Sequence, residues 1–342
     1  MTEQQIIELS RSDLVSDQEI RWCPGCGDYA ILKHVQTALA DLGVARENMV
    51  VVSGIGCAAR FPYYMNTYGF HTIHGRAPSF ATGIKASRPE LSVWVVTGDG
   101  DGLSIGGNHL LHTIRRNLDL QILLFNNRVY GLTKGQYSPT SLVGMKTKST
   151  PTGSIDHPID PIAFALGCGS TFVARTIDVD APHMQETLRR AHAHKGTAFV
   201  EILQNCPVFN DDVWQLQDRK ARSANTLMLQ QGEPLVYGGA GERKGIVIEN
   251  SVPRVVALAD DEDPADRNVV VHDELTSSTS YAAALATLTA PDFPVPVGVF
   301  HQSDKACYED LLAEQVDEAI AQRGPGDLSA LLNSGDTWTV EP

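Results

Sequence analysis

Carboxylate and amide side chains follow two apolar runs of the chain, at positions where they could hold a metal-bound diphosphate. Asp99 lies in the motif GDGD directly after the run 91–97, and Asn127 follows the run 120–126. Glycines let the backbone approach phosphate closely, and a carboxylate at such a turn can hold a Mg²⁺ ion that bridges two phosphates. The amide oxygen of Asn127 fits as a second hard ligand, and the carbonyl oxygen of Val129 could supply a third. A glycine turn with an Asp helix cap, followed by an ordinary Asn turn, is the alternative interpretation.

Four of the six cysteines could together bind a metal centre. Cys23 and Cys26 form a Cys-x-x-Cys pair directly before a predicted helix, whereas Cys57 and Cys206 each follow a predicted strand. Four thiolates from three separate elements can ligate a [4Fe–4S] cluster or a structural zinc ion. The spacing by itself favours neither, and a redox-active dithiol beside two unrelated core cysteines is a third interpretation.

Composition and charge limit the class of protein. The chain has 342 residues, of which 42% are hydrophobic, enough for one large α/β domain or two smaller ones. The net charge of −14 argues against a nucleic-acid-binding surface. Apolar stretches fall short of the roughly 20 residues of a membrane span, and the polar N-terminal segment lacks a signal-peptide layout, so we expect a cytoplasmic protein. Cys168 and Cys307 have no cysteine neighbours, which is typical of small buried side chains.

Apolar runs alternate with amphipathic stretches over the first two hundred residues. We predict strands at 49–53, 91–97, 120–126 and 199–203, and helices at 28–42, 105–116, 159–166 and 181–194. This alternation predicts an α/β fold with a doubly wound, mainly parallel sheet and helices on both faces. Because the carboxyl ends of parallel strands meet at one edge of a sheet, we expect the chemistry at that edge to involve Cys57, Asp99, Asn127 and Cys206.

The pattern weakens after residue 210. We therefore divide the chain into a motif-bearing domain, 1–210, and a loop-rich C-terminal extension, 211–342, to which the sequence assigns no role. Within the extension we predict strands at 245–249 and 295–300 and helices at 278–288 and 309–321. The pattern does not distinguish a separate domain from an arm that wraps the core.

Six motifs occur in a fixed order between about residues 20 and 215: CPGCG, GIGC, HGRA, GDGD, NNRVYGLTKGQ and NCP. Together they resemble the β subunit of 2-oxoacid:ferredoxin oxidoreductases, which implies a thiamine-diphosphate-binding fold. The resemblance implies a [4Fe–4S] cluster on Cys23, Cys26, Cys57 and Cys206, and Mg²⁺ on Asp99, Asn127 and the Val129 carbonyl. The residues implied to line thiamine diphosphate are Ile55, Gly56, Cys57, Ala58, His74, Gly75, Arg76, Ala77, Gly100, Asp101, Gly131 and Leu132.

The two cofactors have a chemical reason to occur together. Thiamine diphosphate decarboxylates a 2-oxo acid, and forming an acyl thioester with CoA then requires the removal of two electrons, which a neighbouring cluster can pass on singly. This argument favours a cluster over zinc. The resemblance also implies ferredoxin as the acceptor and an α subunit that supplies the carboxylate for thiamine activation, so we expect the chain alone to be inactive. The alternatives are a non-redox thiamine-dependent decarboxylase or synthase subunit with structural zinc, and a zinc scaffold that is not an enzyme.

Four basic side chains are candidates for contacts with the substrate. His74 and Arg76 offer hydrogen-bond donors to an anionic cofactor or substrate. Lys134 stands where pyruvate-specific members of the family tend to have a glycine, and Arg60 lies three residues after Cys57. Cations there suit the distal carboxylate of a dicarboxylic 2-oxo acid, so we expect 2-oxoglutarate, with pyruvate or another 2-oxo acid as the alternative. Solvated surface charges are the other interpretation of Lys134 and Arg60.

Overall fold

Strands and helices alternate along residues 8–250 and 252–341, the part of the chain that the computed structural model describes. The strands are β1 (Met49–Ser53), β2 (Tyr68–His71), β3 (Ser92–Gly98), β4 (Gln121–Asn126), β5 (Phe172–Ile177), β6 (Ala198–Leu203), β7 (Thr226–Leu229), β8 (Val236–Tyr237), β9 (Lys244–Glu249), β10 (Val252–Ala257) and β11 (Val295–Gln302). The α-helices are α1 (Asp28–Ala40), α2 (Ala77–Ser87), α3 (Asp99–Leu103), α4 (Gly107–Arg116), α5 (Pro161–Gly167), α6 (Ala181–Ala193), α7 (Arg219–Asn225), α8 (Thr279–Ala286), α9 (Tyr308–Arg323) and α10 (Leu328–Leu332). Short 3₁₀ helices occur at Arg11–Leu14, Arg46–Asn48, Ala58–Tyr64 and Pro264–Arg267.

An eight-stranded sheet forms the centre of the molecule, in the order β2-β1-β3-β4-β6-β5-β11-β7. Its strands pair in parallel except for β5 and β11, which are antiparallel. The four strands β1, β3, β4 and β6 are consecutive neighbours, all parallel. Their carboxyl ends therefore lie side by side, which confirms the predicted α/β fold and places the motif-bearing loops along one edge.

Two apolar cores cover the two faces of the sheet, because alternate side chains of each strand point to opposite faces. On one face α1 and α6 pack against side chains such as Val51, Trp94 and Leu123. On the other face α2, α4, α5 and α8 pack against the alternate set, which includes Val95 and Ile122. A sheet buried on both faces explains why its central strands are continuous apolar runs.

The predicted elements of the first two hundred residues are confirmed, with most boundaries within two residues of the predicted ones. Strand β5 was missed because Arg175 interrupts its apolar pattern. The structure buries that side chain, and its Nε donates a 2.6 Å hydrogen bond to Oε2 of Glu201 on β6. Strand β2 was missed because all four of its residues are exposed at the edge of the sheet.

The glycine turn predicted at GDGD, before the helix near residue 105, is wrong. Strand β3 passes directly into helix α3 at Asp99, and α4 then begins at Gly107. Hence GDGD is the first turn of a helix and not a glycine turn before one. Gly98, Gly100 and Gly102 have no positive φ, so backbone conformation does not require glycine there, whereas Gly100 leaves space for the ring of Tyr130.

The segment after residue 210 contributes to the central sheet. Strands β7 and β11 come from this segment and pair with each other, and β11 also pairs with β5. Strands β8, β9 and β10 form a separate antiparallel sheet. The central sheet therefore contains strands from both sides of residue 210. The division of the chain at that residue marks where the motifs end and stays a prediction. Among the described residues, no helix has both the length and the apolar character needed to cross a membrane.

Candidate functional site

Asp99 lies at the start of α3 with only 2% of its surface exposed. Oγ of Ser138 and Oγ1 of Thr140 both donate hydrogen bonds to its Oδ2, at 2.5 and 2.6 Å. Burial raises the pKa of the Asp99 carboxyl to about 6, and the two hydroxyl donors oppose that rise. Because both donors share Oδ2, the carboxylate is held in one orientation with Oδ1 free of them.

Gly100 allows α3 to contact the turn after β4. A Cβ at Gly100 would lie 2.2 Å from the ring of Tyr130, closer than real contacts permit. The Tyr130 hydroxyl donates to the Gly100 carbonyl oxygen at 3.1 Å. This close packing joins the Asp99 helix to the turn that carries Asn127 and Val129.

The paired asparagines at the end of β4 have different surroundings. Asn126 is buried, and its Nδ2 donates to Oε1 of Glu201 at 2.7 Å. Asn127 is half-buried, its Nδ2 donates to Oε1 of Gln204 at 2.6 Å, and its Oδ1 accepts from the Val129 N–H at 3.1 Å. A carboxylate, an amide oxygen and a backbone carbonyl form a hard-oxygen set that fits Mg²⁺. Ligation by Asp99, Asn127 and Val129 stays a prediction.

Hydrogen bonds tie together the three loops that carry the four predicted cluster cysteines. Trp22 Nε1, beside Cys23, donates to the Cys57 carbonyl oxygen at 2.7 Å. The Gly27 N–H, beside Cys26, donates to the Asn205 carbonyl oxygen at 3.1 Å. The loop before α1 is therefore bonded to the loop after β1 and to the loop after β6.

The sulphur atoms also lie beside the Asn127 turn. A Cβ at Gly131 would lie 3.5 Å from Sγ of Cys57 and 3.7 Å from Sγ of Cys206, both ordinary contact distances. All six cysteines are unpaired, and Cys168 and Cys307 pack in or against the apolar core as expected. The structure thus brings the predicted cluster cysteines and the predicted cofactor loops to one corner of the sheet.

Negative charge is unfavourable among these sulphur atoms. Burial, followed by the nearby Asp28 carboxylate, raises the pKa of the Cys26 thiol and raises that of the Cys57 thiol to about 12. Burial also raises the pKa of Asp28 to about 7, while the neighbouring Cys26 thiol acts to lower it; neither carboxylate oxygen has a hydrogen-bond partner of ordinary geometry. Cationic iron would offset the charge of four thiolates here, so the donor set fits an iron–sulphur cluster.

Within residues 8–250 and 252–341, no three His, Cys, Asp or Glu side chains converge on one point as a single metal ion requires. The predicted magnesium site contains only one side chain of those four types. A cubane cluster distributes its thiolates over several iron ions instead of gathering them at one.

Two loops of the predicted thiamine site are bonded to Asp101. Its Oδ1 accepts from the N–H groups of Ile55 at 3.2 Å and Gly75 at 2.7 Å. His74 beside this glycine is exposed, and Arg76 is half-buried directly before α2. The remaining predicted residues of these loops are Gly56, Ala58 and Ala77, and the structure places them in the same two segments.

A pocket of about 530 Å³ opens beside these loops. Ile55, Gly56 and Leu132 of the predicted thiamine site line it together with Arg60. Lys134 lies on the exposed turn just after Leu132, with φ of +78°. The other polar or aromatic residues that line the pocket are not predicted from the sequence; they are Gln18, Glu19, Arg21, Tyr63, Tyr64 and His71. Ser138 and Thr140 are not predicted either, although the run of hydroxyl residues soon after the Asn pair is a usable signal.

The fold and this corner define a thiamine-diphosphate enzyme domain. The sequence model of the family described as "Thiamine pyrophosphate enzyme, C-terminal TPP binding domain" matches residues 54–202, from the loop after β1 into β6. The 2-oxoglutarate oxidoreductase subunit KorB of Mycobacterium tuberculosis is 50% identical over 96% of this chain and 88% of its own length. The 2-oxoacid:ferredoxin oxidoreductase 1, subunit beta, of Aeropyrum pernix is 39% identical over 92% of this chain and 84% of its own length.

A solved structure extends the likeness to the whole chain. The 2-oxoglutarate:ferredoxin oxidoreductase from Magnetococcus marinus, with 2-oxoglutarate, coenzyme A and succinyl-CoA bound, aligns with a TM-score of 0.75 and 30% identity. The alignment covers 97% of this chain and 98% of that one. The chain belongs to the family of 2-oxoacid:ferredoxin oxidoreductase β subunits, which confirms the resemblance of its motifs.

Proposed function

We propose that this chain is the β subunit of a 2-oxoglutarate:ferredoxin oxidoreductase. The reaction is the CoA-dependent oxidative decarboxylation of 2-oxoglutarate to succinyl-CoA and CO₂, with two electrons passed to ferredoxin. The cofactors are thiamine diphosphate, Mg²⁺ and a [4Fe–4S] cluster on Cys23, Cys26, Cys57 and Cys206. The names of the relatives support the substrate, since the Mycobacterium tuberculosis and Magnetococcus marinus proteins are both named for 2-oxoglutarate.

The observation that carries this proposal is the closeness of two sulphur atoms to the turn after Asn127. A Cβ at Gly131 would lie at ordinary van der Waals distance from Sγ of both Cys57 and Cys206. Gly131 belongs to the turn that follows Asn127, so the proposed cluster would lie beside the loop proposed to hold Mg²⁺ and the diphosphate. A cluster beside thiamine diphosphate could take up its electrons directly, whereas a structural zinc ion could not.

When bound, thiamine diphosphate supplies the carbanion chemistry that removes CO₂ from a 2-oxo acid, and the cluster carries the electrons away singly. The protein's own part is positioning and electrostatics. Asp99, Asn127 and the Val129 carbonyl would hold the Mg²⁺ that fixes the diphosphate. Arg76, directly before α2, would add positive charge beside the helix N-terminus, where anions are favoured.

The pocket beside Ile55 and Gly56 suits a dicarboxylic substrate. Arg60 lines this pocket and offers a guanidinium to a distal carboxylate. Lys134, on the exposed turn after Leu132, would offer a second cation to the substrate. Both assignments extend the preference for 2-oxoglutarate from the relatives to named side chains of this chain.

An α subunit completes the proposed enzyme, by analogy with the family. It would supply the carboxylate that activates thiamine, and ferredoxin would take the electrons. The six unpaired cysteines suit a reducing compartment such as the cytoplasm.

The test uses the chain purified under nitrogen with its α subunit. Iron, sulphide, zinc and thiamine are measured first, followed by ferredoxin reduction with 2-oxoglutarate and CoA. We expect iron and sulphide in equal amounts, thiamine diphosphate, and a kcat/KM for 2-oxoglutarate well above that for pyruvate. Zinc in place of iron, together with CO₂ release without ferredoxin reduction, would support the non-redox alternative instead.

A further inference from the structure

Asp101 joins three elements of the site through one carboxylate. Its side chain is 7% exposed. Oδ1 accepts from the N–H groups of Ile55 and Gly75, and Oδ2 accepts from the Thr97 hydroxyl at 2.9 Å. Both oxygens therefore bond to the protein itself, on the loop after β1, the loop after β2 and strand β3.

The two loops carry the groups that the proposed function requires. Ile55 is two residues before Cys57, a proposed cluster ligand. Gly75 lies between His74 and Arg76, the proposed donors to an anionic ligand. A single side chain thus bonds the backbone of the cysteine loop to the backbone of the basic loop.

Glycine is required at Gly54 and at Gly75 for different reasons: the Asp101 carboxylate fills the space at the first, and a positive φ and the Gly106 backbone exclude a side chain at the second. A Cβ at Gly54 would lie 1.9 Å from Oδ2 of Asp101, and Gly54 does not have a positive φ. Gly75 has a φ of +66°, and a Cβ there would lie 2.4 Å from Cα of Gly106. Gly54 is thus required by the bulk of Asp101, which links the GIGC motif to the second Asp of GDGD.

We infer that Asp101 is a positioning residue, which as a hydrogen-bond acceptor holds the Cys57 loop and the His74–Arg76 loop in one fixed arrangement. The inference rests on the proposed function for what the loops bind, but not for the hydrogen bonds themselves. Its acceptor role does not need a charge. Asparagine could offer Oδ1 to the two N–H groups and donate Nδ2 to the Thr97 hydroxyl, which can accept in turn.

The test compares Asp101→Ala, Asp101→Asn, Gly54→Ala and the double variant Gly54→Ala/Asp101→Ala in the complex with the α subunit. Gly83→Ala is the matched control, because a Cβ at that helical glycine meets nothing within 4 Å. Hydrogen exchange of the peptides that contain Ile55 and Gly75 is measured without cofactors. The dissociation constant of thiamine diphosphate is measured by calorimetry with excess Mg²⁺.

We expect Asp101→Ala to abolish exchange protection in both loops and to weaken thiamine diphosphate binding by about 10- to 100-fold, the usual cost of losing a supporting hydrogen-bond partner. Asp101→Asn should keep the protection and stay within about threefold of the wild-type affinity, because both N–H groups retain their acceptor. Gly54→Ala should resemble Asp101→Ala. The double variant should be no worse than either single one, because the new methyl group then has room.

Three results would overturn the inference: unchanged exchange in Asp101→Ala, equal damage from Asp101→Asn and Asp101→Ala, or additive losses in the double variant. Melting temperatures of all variants separate local loosening from general unfolding. Wild-type protein that binds neither iron nor thiamine diphosphate would refute the proposed function. The exchange data would still decide the role of Asp101, so the two failures are distinguishable.

Discussion

The candidate site has two halves: an oxygen side around Asp99 and Asp101, and a sulphur side around the four predicted cluster cysteines. They differ in how many of their buried polar groups have hydrogen-bond partners within the protein. On the oxygen side, Asp99 and Asp101 each accept hydrogen bonds from groups on other elements, such as Ser138, Thr140 and the Ile55 N–H. On the sulphur side, the Asp28 carboxylate is buried without an ordinary hydrogen-bond partner, and burial raises the pKa of the thiols around it.

The difference shows two ways of preparing a site for a ligand. The protein alone orients the oxygen side, so a cation there would meet ligands already in place. The sulphur side becomes electrostatically favourable only with a positive centre, so metal binding and local stability should be linked. Variants of the two halves should therefore fail differently, the sulphur side in stability and metal content and the oxygen side in affinity.

The largest effect should come from Cys206→Ala. Cys206 is the most buried residue of the predicted cluster ligands, and its Sγ lies close to Gly131 of the turn after Asn127. We expect the anaerobically purified complex with the α subunit to lose nearly all iron and sulphide and to melt at a lower temperature, because three thiolates are too few to ligate the cluster. Cys168→Ala, which removes a cysteine packed against the apolar core, should keep its iron. Equal iron in both variants would contradict the assignment.

Asp99→Asn should weaken Mg²⁺-dependent binding of thiamine diphosphate by more than about 100-fold, because a carboxylate that binds the metal directly contributes more than its supporting partners do. The iron content should not change, which separates this half of the site from the sulphur half. Calorimetric titration with and without Mg²⁺ measures the effect. Asp41→Asn, at an exposed carboxylate, is the control. Equal affinities for thiamine diphosphate in the two variants would contradict the prediction.

Thr140→Val removes one of the two hydroxyl donors to Asp99 at almost constant volume. Ser138 keeps its own bond to the same oxygen, so orientation should be loosened rather than lost. We expect about 30-fold weaker Mg²⁺ binding, within the range measured for partners of metal ligands. Mn²⁺ titration followed by electron paramagnetic resonance provides the measurement. Binding as tight as in the wild type would mean that Ser138 alone fixes the carboxylate.

The smallest effect should come from Lys134→Ala, which lies on an exposed turn outside both halves. We expect about a 10-fold lower kcat/KM for 2-oxoglutarate, the loss of one charge-assisted hydrogen bond, and little change for pyruvate. Arg60→Ala, in the pocket itself, should also lower kcat/KM for 2-oxoglutarate. A Lys134 variant with unaltered preference would identify that lysine as a solvated surface charge.

Much of the fold followed from local patterns. The runs that became β1, β3, β4 and β6 are apolar on both alternating faces, which is characteristic of strands covered by helices on both sides. Strand β5 was not predicted because it contains Arg175. That side chain can be buried since it donates a hydrogen bond to Glu201 of the neighbouring strand, 26 residues away in the chain. The strand predicted at 295–300 is β11, but its place in the central sheet was not predicted. Its pairing with β5 and β7 depends on contacts between distant segments, which no local pattern records.

The sequence by itself determined which residue types follow which strands, and so the ligand classes that this edge of the sheet can offer. It determined the family through six ordered motifs. Only the tertiary structure decided how these residues share the edge: that a helix begins at Asp99, that Asp101 bonds two loops, and that two cysteine sulphur atoms lie close to Gly131. The physical reason is that hydrogen-bond geometry and burial depend on atoms brought together from distant parts of the chain, whereas spacing and residue type are local.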